Sequence, residues 1–184
     1  EMVKRYKKNK NAKPLILMGY YQMIFNYGEK KFVKRCREAG VNGLIVVNLS
    51  YPDNKKFAKK KKKNSICFVQ LIAPTTSKKR MREIIKISHE MVYMISMIST
   101  TGSALKVTTK KIMENYKLIK KISPTKNVAI GFGITEKTIK SLKKADGLVV
   151  GSAICKEITS SIKKRQNPVT NVYNVVSRLK NKIK

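Results

Sequence analysis

The stretch Val128-Ala129-Ile130-Gly131-Phe132-Gly133-Ile134-Thr135, with Gly147-Leu148-Val149-Val150-Gly151-Ser152-Ala153-Ile154 behind it, decides how this chain is read. Each half is a short apolar run that ends in a glycine turn and meets the start of a helical pattern. Runs that are apolar throughout, rather than alternating, mark parallel strands buried on both faces. Glycine lets the backbone approach an anion closely, and the N–H groups at a helix start supply positive potential. Thr135 and Ser152 are read as N-caps of the two helices that follow. The spacing of Gly133 and Gly151 suits one helix and one strand. Two such turns in consecutive units predict a phosphate cup, with plain strand-end turns as the alternative.

Working outward, runs of the same kind recur at 15–18, 43–47, 66–72 and 92–95, ahead of 128–131 and 147–150. Amphipathic stretches lie between them. Residues 28–39 place Phe32, Val33 and Cys36 on one face; 78–89 do so with Met81, Ile84, Ile85 and Ile87; 110–122 with Ile112, Met113, Tyr116, Leu118 and Ile119. Residues 170–180 close the pattern as a last helix, and 1–8 read as the tail of one further helix. Gly40 falls where a helix stop belongs. Strand–helix alternation of this kind means an α/β fold with a parallel sheet. The prediction is a (β/α)8 TIM barrel lacking its first two strands. Residues 1–184 would then be a single partial β/α barrel domain carrying strands three to eight and their helices. A six-stranded doubly wound sheet is the alternative the pattern leaves open.

Composition narrows the classes. The chain has 184 residues, 42% hydrophobic, which suits one domain with a sizeable core. No apolar run reaches the roughly 18 residues of a membrane span, and no cleavable leader opens the chain, so a cytoplasmic protein is expected. The net charge is +32, from 42 Lys and Arg against 10 acids. Only seven of the 42 are Arg. Base-reading proteins lean on Arg, whose planar fork recognises guanine and phosphate bidentately. The lysine excess therefore reads as solvated surface rather than as a nucleic-acid footprint. The basic stretch 55–64, begun by Pro52 at the first helical position, reads as an exposed helix face. Cys36, Cys67, Cys155 and the single His89 make no metal-ligand spacing.

Strand ends also supply Met18, Tyr20, Ile45 and Tyr93. An apolar, aromatic-lined pocket beside a phosphate cup suggests a substrate with a flat apolar group and a phosphate tail. Plain packing is the alternative for Tyr20 and Tyr93. Of the ten acids, none is placed at the C-terminal end of a strand, where barrel active sites lie. Asp146, Glu90 and His89 fall before strands. The chain thus offers no good candidate for proton transfer.

Landmarks in order carry a resemblance. They are Met18-Gly19-Tyr20-Tyr21, Phe25-Asn26-Tyr27-Gly28, Ala39-Gly40-Val41-Asn42-Gly43-Leu44-Ile45-Val46, Ala73-Pro74-Thr75-Thr76, Val92-Tyr93-Met94-Ile95-Ser96, Thr101-Gly102, and the two glycine stretches already quoted. Together they resemble the tryptophan synthase alpha chain family, from Glu1 to about residue 180. The resemblance implies an eight-fold barrel and a lyase of tryptophan biosynthesis. Its reaction is the retro-aldol cleavage of indole-3-glycerol phosphate to indole and glyceraldehyde 3-phosphate. No cofactor is implied for this chain. Pyridoxal phosphate would sit on a beta-chain partner in an alpha2-beta2 assembly. By the same resemblance Gly102, Gly133, Gly151 and Ser152 hold the phosphate. Met18, Tyr20, Ile45, Tyr93, Phe132 and Val149 surround the indole, and Tyr93 is a possible accessory to catalysis.

The family's catalytic Glu and Asp have no counterpart in this chain, so it is expected to be inactive alone. The family loop Ser-Arg-x-Gly-Val-Thr-Gly departs at Met97 and Ser99, and its partner-facing segments depart at Asn48 and Gln22. Another phosphate-binding barrel lyase or isomerase and a Lys-rich nucleic-acid binder are the alternative readings.

Overall fold

The computed structural model describes residues 1–49, 52–62, 66–100, 103–106 and 108–183. The chain divides into two compact units. The first is Glu1–Leu71 with Arg82–Val92, and the second is Ile72–Met81 with Tyr93–Lys184. In order, the elements are α1 (Met2–Lys7), β1 (Ile16–Tyr20), α2 (Tyr21–Tyr27), α3 (Glu29–Ala39), β2 (Gly43–Val47), α4 (Asp53–Lys62), β3 (Cys67–Ile72), α5 (Lys78–Ile87) and β4 (Met91–Ile95). There follow β5 (Met97–Thr100), β6 (Ser103–Lys106), α6 (Thr109–Ile122), β7 (Asn127–Gly131), a 3-10 turn (Ile139–Leu142), β8 (Gly147–Val149), α7 (Ser152–Lys163) and α8 (Pro168–Asn181).

The main sheet runs β1-β2-β3-β4-β7-β8. The pairings β1–β2, β2–β3 and β7–β8 are parallel. The order follows the chain without turning back, as in a β/α barrel; a doubly wound sheet reverses at a switch point. The six sequence runs all become strands, within two residues of their expected bounds. β2 shows why they could be read. Leu44, Ile45 and Val46 are all buried, so both of its faces are covered and neither can carry polar residues.

In the first unit, Leu44, Val46, Phe57, Ile66 and Phe68 form the core, with the Phe57 and Phe68 ring centroids 4.9 Å apart. α3 turns Val33 and Cys36 inward and stops at Gly40, whose φ of 85° only glycine adopts freely. Gln70 is buried inside the otherwise apolar β3. It accepts a bond from Asn54 Nδ2 at 3.2 Å, while Asn54 Oδ1 and Gln70 Nε2 have no partner among the described residues. α4 starts at Asp53, so Pro52 stands one residue ahead of the helix.

Three local features depart from, or add to, the sequence reading. β5 and β6 pair as an antiparallel hairpin where only a loop was expected. Tyr21–Tyr27 is a helix that the apolar pattern did not mark. No α-helix follows β7; the chain makes only the 3-10 turn Ile139–Leu142, so Thr135 caps no helix.

In the second unit, Asp146 is a strut ahead of β8. Its carboxylate accepts from Tyr116 Oη, Lys120 Nζ and the Val128 N–H, each at 3.0 Å, tying α6, β7 and β8 together. Burial pushes its carboxyl up, but Lys120, the Val128 amide and Tyr116 outweigh burial and hold it below the ordinary value. Its contribution to stability is therefore full above the ordinary carboxylate range and is lost as pH falls through the depressed value. Asp146→Ala is expected to cost about 2–3 kcal/mol at neutral pH, since bonds to a charged group are involved. Urea unfolding checks this, and the deficit against the parent chain should shrink in acid.

Candidate functional site

β7 and β8 are adjacent and parallel, with Gly131 opposite Val149. Their outgoing turns therefore leave the same edge of the sheet side by side. After β7 the backbone takes two left-handed residues, Phe132 at φ 70° and Gly133 at φ 65°. Glycine does this freely, whereas Phe132 gives up about 1–2 kcal/mol. The neighbours hold it there. Ser96 donates its N–H to the Gly131 carbonyl at 2.9 Å, and its hydroxyl to the same oxygen at 2.7 Å and to the Phe132 carbonyl. Thr138 Oγ1 donates to the Gly133 carbonyl at 2.9 Å and accepts the Thr135 N–H at 3.0 Å.

Tyr93, expected at a strand end, stands in the middle of β4 (Met91–Ile95) and is buried. Its ring meets Phe132 edge-on, with centroids 6.2 Å apart at 86°. Gly131 lies directly beneath it. A Cβ there would collide with the Tyr93 hydroxyl oxygen and Cζ. Burial pushes the Tyr93 phenol up from its ordinary value, so it stays protonated at neutral pH. It can donate a hydrogen bond but is no base. Phe132 is 47% exposed, and Val149 is exposed as well.

After β8, Gly151 and not Ser152 is the N-cap of α7. Ser152 is the first helical residue, and no side chain caps the helix. Gly151 and Ser152 are both exposed, and a Cβ on Gly151 would meet nothing within 4 Å. A helix of 12 residues thus opens its N-terminus with no side-chain acceptor in place, which is a favourable setting for an anion. Gly133 and Gly151 leave neighbouring strands. Gly102 lies outside the described residues.

The first unit carries the other apolar candidates. Met18 and Tyr20 alternate on β1 and are exposed, and Ile45 pairs in register with Met18. All three line an apolar cavity of about 650 Å³, with Leu17, Met23 and Tyr27 among its other walls. Beside it, Asn48 sits at φ 57°, and its side-chain oxygen accepts the Tyr21 N–H at 3.0 Å, at the start of α2. Tyr21 Oη donates to Glu29 at 2.7 Å. That bond, with burial, pushes the Tyr21 phenol up to about 12.

No described acid stands at the C-terminal end of a strand. Glu29 opens α3, Asp53 opens α4, and Glu136 is paired with Arg178 and Lys182. Glu90 precedes β4, and His89 Nδ1 accepts the Phe68 N–H at 3.0 Å. Among the described residues no group of three His, Cys, Asp or Glu could hold a metal ion, and no helix is long and apolar enough to cross a membrane. Sequence reasoning missed the supporting roles of Ser96, Thr138 and Asn48. A serine closing an apolar strand and a threonine three residues beyond another were the only signals.

The sequence pattern of the tryptophan synthase alpha chain family matches residues 1–184. The chain is 64% identical over 182 residues to the tryptophan synthase alpha chain of Pelagibacter ubique, covering 99% of this chain and 69% of that one. Among solved structures, the tryptophan synthase subunit alpha of Legionella pneumophila superposes with a TM-score of 0.84 at 27% identity, over 99% of this chain and 67% of that one. A structure described for mutual activation of the tryptophan synthase a2b2 complex of Pyrococcus furiosus gives 0.83 at 30% identity, over 98% and 71%.

Proposed function

Since this chain belongs to the tryptophan synthase alpha chain family, a family of lyases, we infer that it binds indole-3-glycerol phosphate, the substrate of a retro-aldol cleavage to indole and glyceraldehyde 3-phosphate. The supporting observation is the pair of turns on β7 and β8, with the uncapped start of α7 beside them. The phosphate is assigned to the amides at Gly133, Gly151 and Ser152 and to the Ser152 hydroxyl, and by the resemblance to Gly102. Their N–H groups and the helix dipole favour an anion without a cationic side chain. By the resemblance, the indole is assigned to the group Met18, Tyr20 and Ile45 and to the group Tyr93, Phe132 and Val149. Each group offers apolar or aromatic surface suited to a flat ring.

Cleaving the bond between the indole ring and the glycerol chain needs a base for the glycerol hydroxyl and an acid for the ring carbon. Tyr93 can lend a hydrogen bond, and no described carboxylate stands at a strand end to move either proton. The chain's own part in the reaction is binding and orientation. The cleavage needs no cofactor from this chain. The indole released would pass to a beta-chain partner carrying pyridoxal phosphate, in the cytoplasm, within a tryptophan-making complex.

The test has two readouts on the purified 184-residue chain. Glycerol 3-phosphate should bind with a dissociation constant that survives high salt, which screens casual association with lysines. Indole-3-glycerol phosphate should release no indole. Binding that vanishes with salt would remove the phosphate site, and indole release would show a proton-transfer group where none is placed.

A further inference from the structure

We propose that Ser96 is a positioning residue for the phosphate cup, holding the Gly131–Gly133 turn in its left-handed form and so aiming the amides of that turn. The inference rests on the phosphate reading above. Phe132 sits at φ 70°, a conformation that a residue with a Cβ leaves unless its surroundings hold it. Ser96 grips both carbonyls that bound the strained residue. Its amide and hydroxyl reach the Gly131 oxygen at 2.9 and 2.7 Å, and the hydroxyl also reaches the Phe132 oxygen. One hydroxyl hydrogen is shared between two acceptors, and at 3% exposure Ser96 is shielded from competing water.

Peptide planarity makes this grip a matter of aim. In a trans peptide the N–H points opposite to the carbonyl it follows. Fixing the Gly131 oxygen therefore fixes the direction of the Phe132 N–H, and fixing the Phe132 oxygen fixes that of the Gly133 N–H. Thr138 does the same for the next peptide, through the Gly133 oxygen at 2.9 Å. The turn's donors are thereby left facing away from the side chains that hold its carbonyls. Ser96 acts through the turn, by its bonds to the Gly131 and Phe132 carbonyls.

The experiment is a cycle of Ser96→Ala in two backgrounds, the parent chain and Phe132→Gly. Glycerol 3-phosphate is the probe, because it has no indole ring to miss Phe132. Glycine takes φ 70° without strain, so the role of Ser96 should shrink in its presence. In the parent background Ser96→Ala is expected to weaken binding about tenfold, the upper range for one hydrogen bond, and NMR should show the φ of Phe132 turning negative. In the Phe132→Gly background the loss should be no more than about twofold. Equal losses in both backgrounds, or a Phe132 that stays left-handed without Ser96, overturn the proposal. If the parent chain binds no glycerol 3-phosphate, the phosphate reading falls, and the φ of Phe132 with and without Ser96 decides this proposal alone. If Ser96→Ala does not fold, Ser96→Cys, whose thiol donates weakly, takes its place under the same two outcomes.

Discussion

Gly131→Ala is expected to cost about 3 kcal/mol of stability, the upper range for overpacking a buried site, and to displace Phe132 with it. The added methyl falls on the Tyr93 hydroxyl oxygen and Cζ, and it lies 3.0 Å from Cε1. Tyr93 cannot yield as a lysine tip would. Its ring is rigid and buried, and its neighbours Val92 and Met94 are buried too. The pattern of rescue makes the expectation sharp. Tyr93→Phe removes the hydroxyl but leaves Cζ in place, so it should restore little. Tyr93→Leu removes every clashing atom and should restore most of the loss, less what the shorter side chain leaves empty. Chemical denaturation of the three variants measures this. A Gly131→Ala chain within about 0.5 kcal/mol of the parent would mean that Tyr93 does not lie over the strand.

Gly133→Val should abolish useful phosphate binding, by about a hundredfold in the dissociation constant. Two effects act together. Gly133 sits at φ 65°, which a β-branched residue adopts only at heavy cost. The side chain would also stand where the backbone must approach the anion. Ser152→Ala is the milder comparison, since it deletes a single neutral donor while leaving the start of α7 intact; about a two- to tenfold loss is expected. Titration of glycerol 3-phosphate against the parent and both variants in high salt reads the difference. Equal binding by all three would reduce the two glycines to plain turns.

The sequence disclosed the six main strands because parallel strands covered on both faces must be apolar throughout, and 43–47 and 128–131 could be little else. It disclosed α3 and its stop because Gly40 follows an amphipathic face. It hid β5 and β6, since four-residue strands carry too little periodicity to separate from a loop. It hid α2 because Tyr21–Tyr27 is largely apolar and aromatic, and an exposed Met23 and Phe25 spoil the one-sided stripe that a helix normally shows. The N-cap on α7 was misplaced by one residue. Serine is a frequent cap, but Gly151 takes the flanking position and Ser152 has already entered the helix. After β7, the Thr135 and Thr138 hydroxyls bond each other's backbone N–H, which favours a tight turn over a helical start.

The candidate phosphate-site residues were legible to the extent that glycine advertises backbone strain. The side chains that sustain that strain were not. Ser96 looks like any polar residue closing a strand until its two carbonyl acceptors are seen. Asn48 is one of the departures from the family pattern, and its amide oxygen accepts the first N–H of α2; asparagine tolerates the left-handed backbone found there.

The strand order has a consequence for how the chain is made. Because β1, β2, β3, β4, β7 and β8 follow one another in space as they do in sequence, each strand after the first finds its template already synthesised. Ile16 meets Gly43, and Gly43 meets Cys67, across comparable spans of chain. The longest interval, from β4 to β7, holds the hairpin and α6, yet doubling a loop adds only about 0.6 kcal/mol to the entropy of closing it. No strand must wait for a distant later segment before it can pair. As synthesis proceeds from β1 toward β8, the sheet can therefore grow one strand at a time, and a stalled intermediate would be a shorter sheet rather than a mispaired one.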